Sequence, residues 1–469
     1  MTAAPSLDRP VPADPRTPLA APARPGSDPR LREIARAVDE GGRLTLDQGE
    51  VLLNTPDIWG VCELADRVRR RLHGTRAYYN VNRHLNYSNV CALSCKFCEF
   101  YRKAGEDGAY TRDLEYVREQ VRQAVQGGAT EMHSVGGLHP TLPFSYYTDL
   151  VRTIRETAQS LGSELHVKAF TAVEIVHLAR IAKVYKVDDR RAGIRWVLER
   201  LKEAGLGSLP GGGAEVFDDR VHDEAFKGKI RSDVWLDVHR VAHELGLNTN
   251  ATILYGHIES PRERLVHMDM LRRAQDEALT RLGYAPDEAG AVTLTKPGSA
   301  LPEHVAARRN MAVAERRPAT EARPTPEAGY FQTIIPLPFF PDGSDLEHLP
   351  GPGGLENLRT LAVARLMLDN FAHVKAFWIM QTLPMSELML SAGADDVDGT
   401  VVWYDITKVN HGAGLGADQE SAPVATHQEV SVWTLRKAIR DAGFEPVERD
   451  TLYRRVEREA GDGRKWRAV

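Results

Sequence analysis

The sequence predicts an α/β protein built as a (β/α)8 barrel. Strand-like runs alternate with helix-period runs from Ala77 to about residue 400. Glycine-rich turns close several of the strands, as at Gly136-Gly137 and Gly211-Gly212-Gly213. Three of the four cysteines, Cys91, Cys95 and Cys98, stand in one loop directly after the first strand-like run. In such a barrel that loop lies on the face where chemistry is carried.

Taken in order, residues 1–30 hold eight of the 27 prolines and read as a disordered tail, too polar to bury a core. The tail has no apolar centre of a secretory signal, and Asp8, Asp14 and Asp28 count against a transit peptide. Residues 31–75 read as an N-terminal helical cap. Thr45 and Gln48 have capping-box spacing, and Thr55 precedes Pro56 at a first helical position. Val61, Leu64, Ala65, Val68 and Leu72 then recur at helical spacing. The barrel is expected over 76–400, with strands at 77–82, 130–135, 164–169, 206–209, 248–255, 330–335, 374–380 and 393–397. Helices are expected between them, one of them over 172–204 with a break near Asp188-Asp189, and another capped by Ser232. Residues 284–328, rich in Pro, Ala, Glu and Arg, read as a disordered or surface insertion. Residues 401–469 read as a C-terminal appendage with a helix at 430–442 and a strand at 447–453.

The 469 residues are 42% hydrophobic and 27% charged, an ordinary globular composition. A net charge of −5 argues against a nucleic-acid binder with a basic surface. No apolar run approaches the ~20 residues of a spanning helix, so no membrane association is expected. Cys62 is the one cysteine outside the loop. Such scarcity fits a reducing cytoplasm.

Cys91-x3-Cys95-x2-Cys98 points to an iron–sulfur cluster, because thiolates are its usual ligands. Three ligands leave one iron of a four-iron cube open to a small molecule. A disulfide framework needs more cysteines, and a structural zinc site needs a second ligand pair. Other candidates sit at expected strand ends. Gly136 and Gly137 let backbone approach a ligand closely. Glu174 can accept from a bound cofactor, or can simply serve as a first-turn acid. Gly212 and Glu215 combine open backbone with a carboxylate. His139 and His257 are candidates for proton transfer. Asp395, Asp396 and Asp398 follow the last expected strand; they can bind hydroxyls or satisfy a turn.

The cysteine loop, with Phe97 before its third cysteine, resembles the signature of the radical S-adenosylmethionine (SAM) superfamily. Closer likeness lies in Tyr79-Asn80-Val81-Asn82-Arg83-His84, in Val135-Gly136-Gly137-Leu138-His139-Pro140, and in Lys168-Ala169-Phe170-Thr171-Ala172-Val173-Glu174-Ile175. It continues in Leu209-Pro210-Gly211-Gly212-Gly213-Ala214-Glu215-Val216-Phe217 and in the run from Ser391 to Val402. These resemble the radical SAM enzymes of the futalosine route to menaquinone and their deazaflavin-forming relatives. The resemblance implies a TIM-type radical SAM barrel, a [4Fe-4S] cluster on Cys91, Cys95 and Cys98, and SAM as co-substrate. Phe97 is then expected against the adenine, with Gly136, Gly137, Glu174, Gly212 and Glu215 around SAM. It implies addition of the 5′-deoxyadenosyl radical to the enol ether of 3-[(1-carboxyvinyl)oxy]benzoate, and a reducing partner such as flavodoxin or ferredoxin. His257 and Asp396 stand as catalytic candidates. The sister cyclase that closes dehypoxanthine futalosine and the deazaflavin-cofactor synthases are the nearest alternatives. A non-enzymatic iron–sulfur sensor is a third, which would not cleave SAM. The chain departs from the subgroup at 284–328, at 184–193, and at Phe339-Phe340-Pro341-Asp342, where a histidine is expected before the proline.

Overall fold

Short strands buried on both faces alternate with helices that bury one stripe, and this pattern sets the architecture. The computed structural model describes residues 28–282, 284–286, 292–294, 328–401, 429–460 and 462–468. The strands are β1 (Arg76–Asn80), β2 (Asn82–Leu85), β3 (Glu131–Ser134), β4 (His166–Ala169), β5 (Ser208–Leu209), β6 (Asn248–Tyr255), β7 (Tyr284–Pro286), β8 (Val292–Leu294), β9 (Phe331–Pro338), β10 (His373–Val374), β11 (Asp396–Gly399), β12 (Glu445–Glu448), β13 (Val456–Glu459) and β14 (Asp462–Ala468).

Seven of them form one sheet in the order β2-β3-β4-β5-β6-β9-β10, every pairing parallel. A parallel bridge between Lys375 and Asp396 carries the curl from β10 to β11. β11 pairs with β1, with Tyr78 opposite Asp396, and β1 runs through Val81 into β2. The curl thus returns to its start, as a TIM-type barrel requires. On its other edge β1 pairs in parallel with β12, Tyr79 opposite Glu448. The tail expected over 1–30 and the insertion expected over 284–328 lie almost wholly outside the described residues, as does 402–428.

Local chemistry explains the helix boundaries. The Thr45–Gln48 capping box is present and starts the helix Leu46–Asn54. Thr55 does not cap the next helix; Asp57 does, accepting from Gly60 N, while the Thr55 hydroxyl donates to Asp28 at 2.7 Å. Val61, Leu64, Ala65 and Val68 are buried, as their spacing requires, and their helix packs on Gly354–Met367. The stretch 172–204 is two helices, Ala172–Ile181 and Arg190–Ala204, joined through Lys183 at φ 59°. Ser232 opens the helix Ser232–Glu244 as its first residue, with Arg231 at the cap position.

Two strands differ from expectation. The strand expected over 374–380 stops at Val374, because the Trp378 indole N–H turns in to the Gly399 carbonyl at 2.8 Å and starts a helical turn. The strand expected over 393–397 begins later, at Asp396, after Gly393 takes φ 111°. Among the described residues no helix is long and apolar enough to cross a membrane.

The barrel interior is polar. Lys168 pairs with Glu131 at 2.7 Å and Lys375 with Asp398 at 2.6 Å, all buried. The His84 and His133 rings lie 4.5 Å apart, centroid to centroid. The segment after β12 enters this interior. Arg449 Nε donates to Asp396 at 2.6 Å, the Thr451 hydroxyl donates to Glu131 at 2.8 Å, and the Tyr453 ring stacks on His373 at 3.6 Å.

Candidate active site

The site grows from the loops that follow β2, β3, β4 and β5, all at the C-terminal ends of parallel strands. The cysteine loop leaves β2 through Asn86–Val90 and is fastened on both sides. Ala92 N donates to the Leu138 carbonyl at 2.9 Å, and Cys91 N to that of Arg102 at 3.0 Å. The Lys103 ammonium donates to the carbonyls of Cys91 at 3.1 Å and Leu93 at 2.8 Å. The backbone is therefore set before any metal binds.

Cys95 is buried, and Cys91 and Cys98 are half-buried. Burial pushes the Cys95 thiol up to about 11, with the Lys229 ammonium pulling the other way. Burial also raises Cys98. The donor set separates one metal centre from another. Thiolates around a single zinc ion lie about 3.8 Å apart, from tetrahedral geometry at 2.3 Å bonds. Among the described residues the three thiols do not form a group within 4.8 Å of one another. Three thiols in one loop are the donor set that an iron–sulfur cluster takes.

Gly136 and Gly137 lie directly beneath the cysteine loop. A Cβ on Gly137 would stand 2.3 Å from the Val90 carbonyl oxygen, so only glycine permits this approach. Both N–H groups are used within the protein. Gly136 donates to Glu174 Oε1 at 3.0 Å, and Gly137 to the Ser88 carbonyl at 2.8 Å. The pair can meet a cofactor ammonium only through carbonyl oxygens.

Glu174 stands in the first turn of its helix, one of the two roles the sequence allowed. Its Oε1 accepts from the Tyr87 hydroxyl at 2.8 Å and from Gly136 N. Its Oε2 accepts from Thr171 N at 2.7 Å and from the Thr171 hydroxyl at 2.8 Å. It completes a capping box on Ala172–Ile181 and ties three loops together. With four donors on two oxygens, the carboxylate braces the glycine turn and is not free to hold SAM directly. Burial, opposed by these donors, pushes the carboxyl up to about 7.

Gly212 and Glu215 follow β5 as expected. Gly213 takes φ 89° and Glu215 φ 47°, so the turn is left-handed at both. Glu215 is buried and ion-paired with Lys229. His267 anchors the loop's far end, accepting from Phe217 N at 3.1 Å through Nδ1 and donating to the Thr252 carbonyl at 3.0 Å through Nε2. Phe97 meets Phe226 edge-on, with centroids 6.1 Å apart.

Of the two catalytic candidates, His257 is hydrogen-bonded through one ring nitrogen and Asp396 is ion-paired. His257 Nε2 donates to the Leu254 carbonyl at 3.1 Å, and its side chain is 2% exposed. Asp396 opens β11, at the opposite end of the strand from the cysteine face, and holds Arg449. Its displacement follows from the late start of that strand. Asp395 pairs with Arg365 and Asp398 with Lys375. His139 Nδ1 accepts from Leu142 N at 3.2 Å and shapes its own turn. Phe340, at the position of the expected histidine before Pro341, is exposed, while Phe339 is buried and packs edge-on to His257 at 6.0 Å. His73, His373 and Asp395 form a compact donor group at the N-terminal ends of the strands. His73 Nε2 donates to the Ala372 carbonyl at 2.9 Å and Arg365 covers Asp395, so this group is a hydrogen-bonded network. Lys103, Tyr87 and Lys229 were invisible to sequence reading, since their partners are carbonyls or residues far along the chain.

A three-cysteine loop over the C-terminal face of a parallel barrel, braced by a glycine turn, defines a radical SAM enzyme. The model of the Radical SAM superfamily matches residues 85–271, and that of the CofH/MqnC C-terminal region matches residues 328–460. The chain is 40% identical to the aminodeoxyfutalosine synthase of Thermus thermophilus over 433 residues, 92% of this chain and 96% of that protein. It is 37% identical to the aminodeoxyfutalosine synthase of Streptomyces coelicolor, over 90% of this chain and 93% of that one. Among solved structures, methylornithine synthase superposes with a TM-score of 0.56 at 16% identity, over 88% of this chain and 97% of that chain. The chain belongs to the radical SAM superfamily, in the family of the aminodeoxyfutalosine synthases. Its cofactors are accordingly a [4Fe-4S] cluster and SAM.

Proposed function

We propose that the chain catalyses the aminodeoxyfutalosine synthase reaction. It would add the 5′-deoxyadenosyl group of SAM to 3-[(1-carboxyvinyl)oxy]benzoate and, after rearrangement and loss of a carboxyl group, release 6-amino-6-deoxyfutalosine for menaquinone biosynthesis. The observation that carries this is the 40% identity spanning 96% of the Thermus thermophilus enzyme. When bound, the cluster and SAM supply methionine and the 5′-deoxyadenosyl radical after one-electron reduction.

The chain's own residues bind and orient. Cys91, Cys95 and Cys98 hold the cluster. The Gly136–Gly137 carbonyls receive the methionine ammonium, and Glu174 fixes that turn through Gly136 N. Phe97 packs against the adenine, and the turn at Gly212 with Glu215 closes the pocket. The polar interior bearing Lys168, Lys375, His84 and His133 suits a benzoate with two carboxylates. A closed barrel also keeps water from a carbon radical, and holding the enol carbon near C5′ is the main task left to the protein. Flavodoxin or ferredoxin is the reductant in this reading, and the cytoplasm its location.

The test is an anaerobic, reconstituted and reduced reaction with SAM and 3-[(1-carboxyvinyl)oxy]benzoate, followed by mass spectrometry. A product carrying the adenosyl group, with equimolar methionine, is expected. Free 5′-deoxyadenosine with the benzoate unchanged would overturn the synthase reading and favour the cyclase or deazaflavin chemistry.

A further inference from the structure

Lys229 has no part in the reading above, yet its ammonium is turned towards the cysteine loop. Nζ forms an ion pair with Glu215 Oε1 and lies 4.8 Å from the centroid of the Phe97 ring, next to Cys98 in sequence. The side chain is 13% exposed, whereas Lys227, two positions earlier, is exposed. The segment around it is fastened. Lys229 N donates to the Phe226 carbonyl at 3.1 Å, and its own carbonyl accepts from His222 Nε2 at 3.1 Å. Lys96 N donates to the Ala225 carbonyl at 3.1 Å, which joins this segment to the cysteine loop.

Burying an ammonium is unfavourable by several kcal/mol unless it is paired, and a well-packed apolar side chain of similar size would fill the space without that penalty. A charge held here therefore points to electrostatics. Glu215 is the ion-pair partner of the ammonium, and the Phe97 ring beneath it stands between Cys95 and Cys98 in the chain. A cluster gains one negative charge when it takes an electron. Nearby positive charge stabilises that reduced state and raises its potential.

We infer that Lys229 is a positioning residue for the iron–sulfur cluster: its ammonium is the fixed counter-charge that makes the cluster reducible, and it holds the Glu215 carboxylate in place. The electron itself comes from an external low-potential one-electron donor. The inference rests on a cluster bound by Cys91, Cys95 and Cys98, but not on which substrate is used.

The test is an EPR-monitored redox titration of the full chain, reconstituted anaerobically, without SAM. Lys229→Met should keep its iron content, while its ratio of reduced to oxidised cluster at a fixed potential falls about tenfold, a shift of ~59 mV to lower potential. Lys229→Arg should stay within about twofold of the wild type. Glu215→Gln, which removes the opposing charge, should shift in the opposite direction. A fully iron-loaded Lys229→Met with the wild-type midpoint overturns the inference. If that variant fails to hold iron, a Glu215→Gln midpoint that is unchanged or lower overturns it instead. A wild-type chain that binds no cluster overturns the cluster assignment, a separate failure.

Discussion

Glu174 shows how much of a site residue's role depends on partners that spacing does not reveal. Sequence reading put it after the third expected strand and offered two roles, cofactor contact and first-turn acid. The structure gives it four donors from Tyr87, Gly136 and Thr171. Two of these partners come from loops 38 and 87 residues away in sequence. The cysteine loop, by contrast, follows β2 as its place in the sequence implies, because its three thiols are gathered by proximity along the chain alone. Glu174→Gln should place an amide NH2 against two of the four donors. Unsatisfied buried donors are unfavourable by about 1–3 kcal/mol each, so urea unfolding should show a loss of at least that size. Because Gly136 would be freed to move, SAM affinity should fall while cluster iron stays complete. Unchanged SAM binding, measured by the shift SAM induces in the EPR spectrum, would contradict this bracing role.

Elements were legible where one face is consistently apolar, and less so where a side chain from elsewhere ends them. The helix carrying Val61, Leu64, Ala65 and Val68 is where its spacing put it. β10 and β11 are not, because Trp378 and Gly393 redirect the chain. The helix Pro261–Arg281 shows another long-range constraint, since it sends His267 into the barrel wall. That imidazole accepts at Nδ1 and donates at Nε2, so it must remain neutral, and burial lowers its pKa from 6.5 to about 3. The folded state therefore binds fewer protons than the unfolded chain between these values. The stability it contributes is present above pH 6.5 and is lost as pH falls towards 3. A glutamine can accept and donate without titrating. Between pH 6.5 and 4.5, His267→Gln should thus lose stability less steeply than the wild type, by up to about 1.4 kcal/mol per pH unit. Denaturant unfolding across that range gives the slopes, and parallel slopes would refute the linkage.

At the scale of the whole molecule, barrel alternation was legible over some 300 residues, but closure was not. The sequence marks 447–453 as strand-like, and no local pattern says that β12 lies parallel to β1 or that the next residues enter the barrel interior. That placement is a choice among distant partners, made by charge. Arg449, Thr451 and Tyr453 reach Asp396, Glu131 and His373 respectively. Glu131 in turn holds Lys168, so the C-terminal segment and the proposed substrate chamber share one carboxylate. Removing one partner of a buried pair leaves the other charge uncompensated, which is unfavourable by about 3–5 kcal/mol, whereas removing both is often nearly neutral. Arg449→Met should therefore lower the melting temperature strongly, and Arg449→Met with Asp396→Asn should recover much of that loss. Differential scanning fluorimetry of the two variants decides the matter. A double variant no more stable than Arg449→Met alone would mean that the segment is held mainly by its stacking and backbone pairing, with the ion pair incidental to how the barrel is closed.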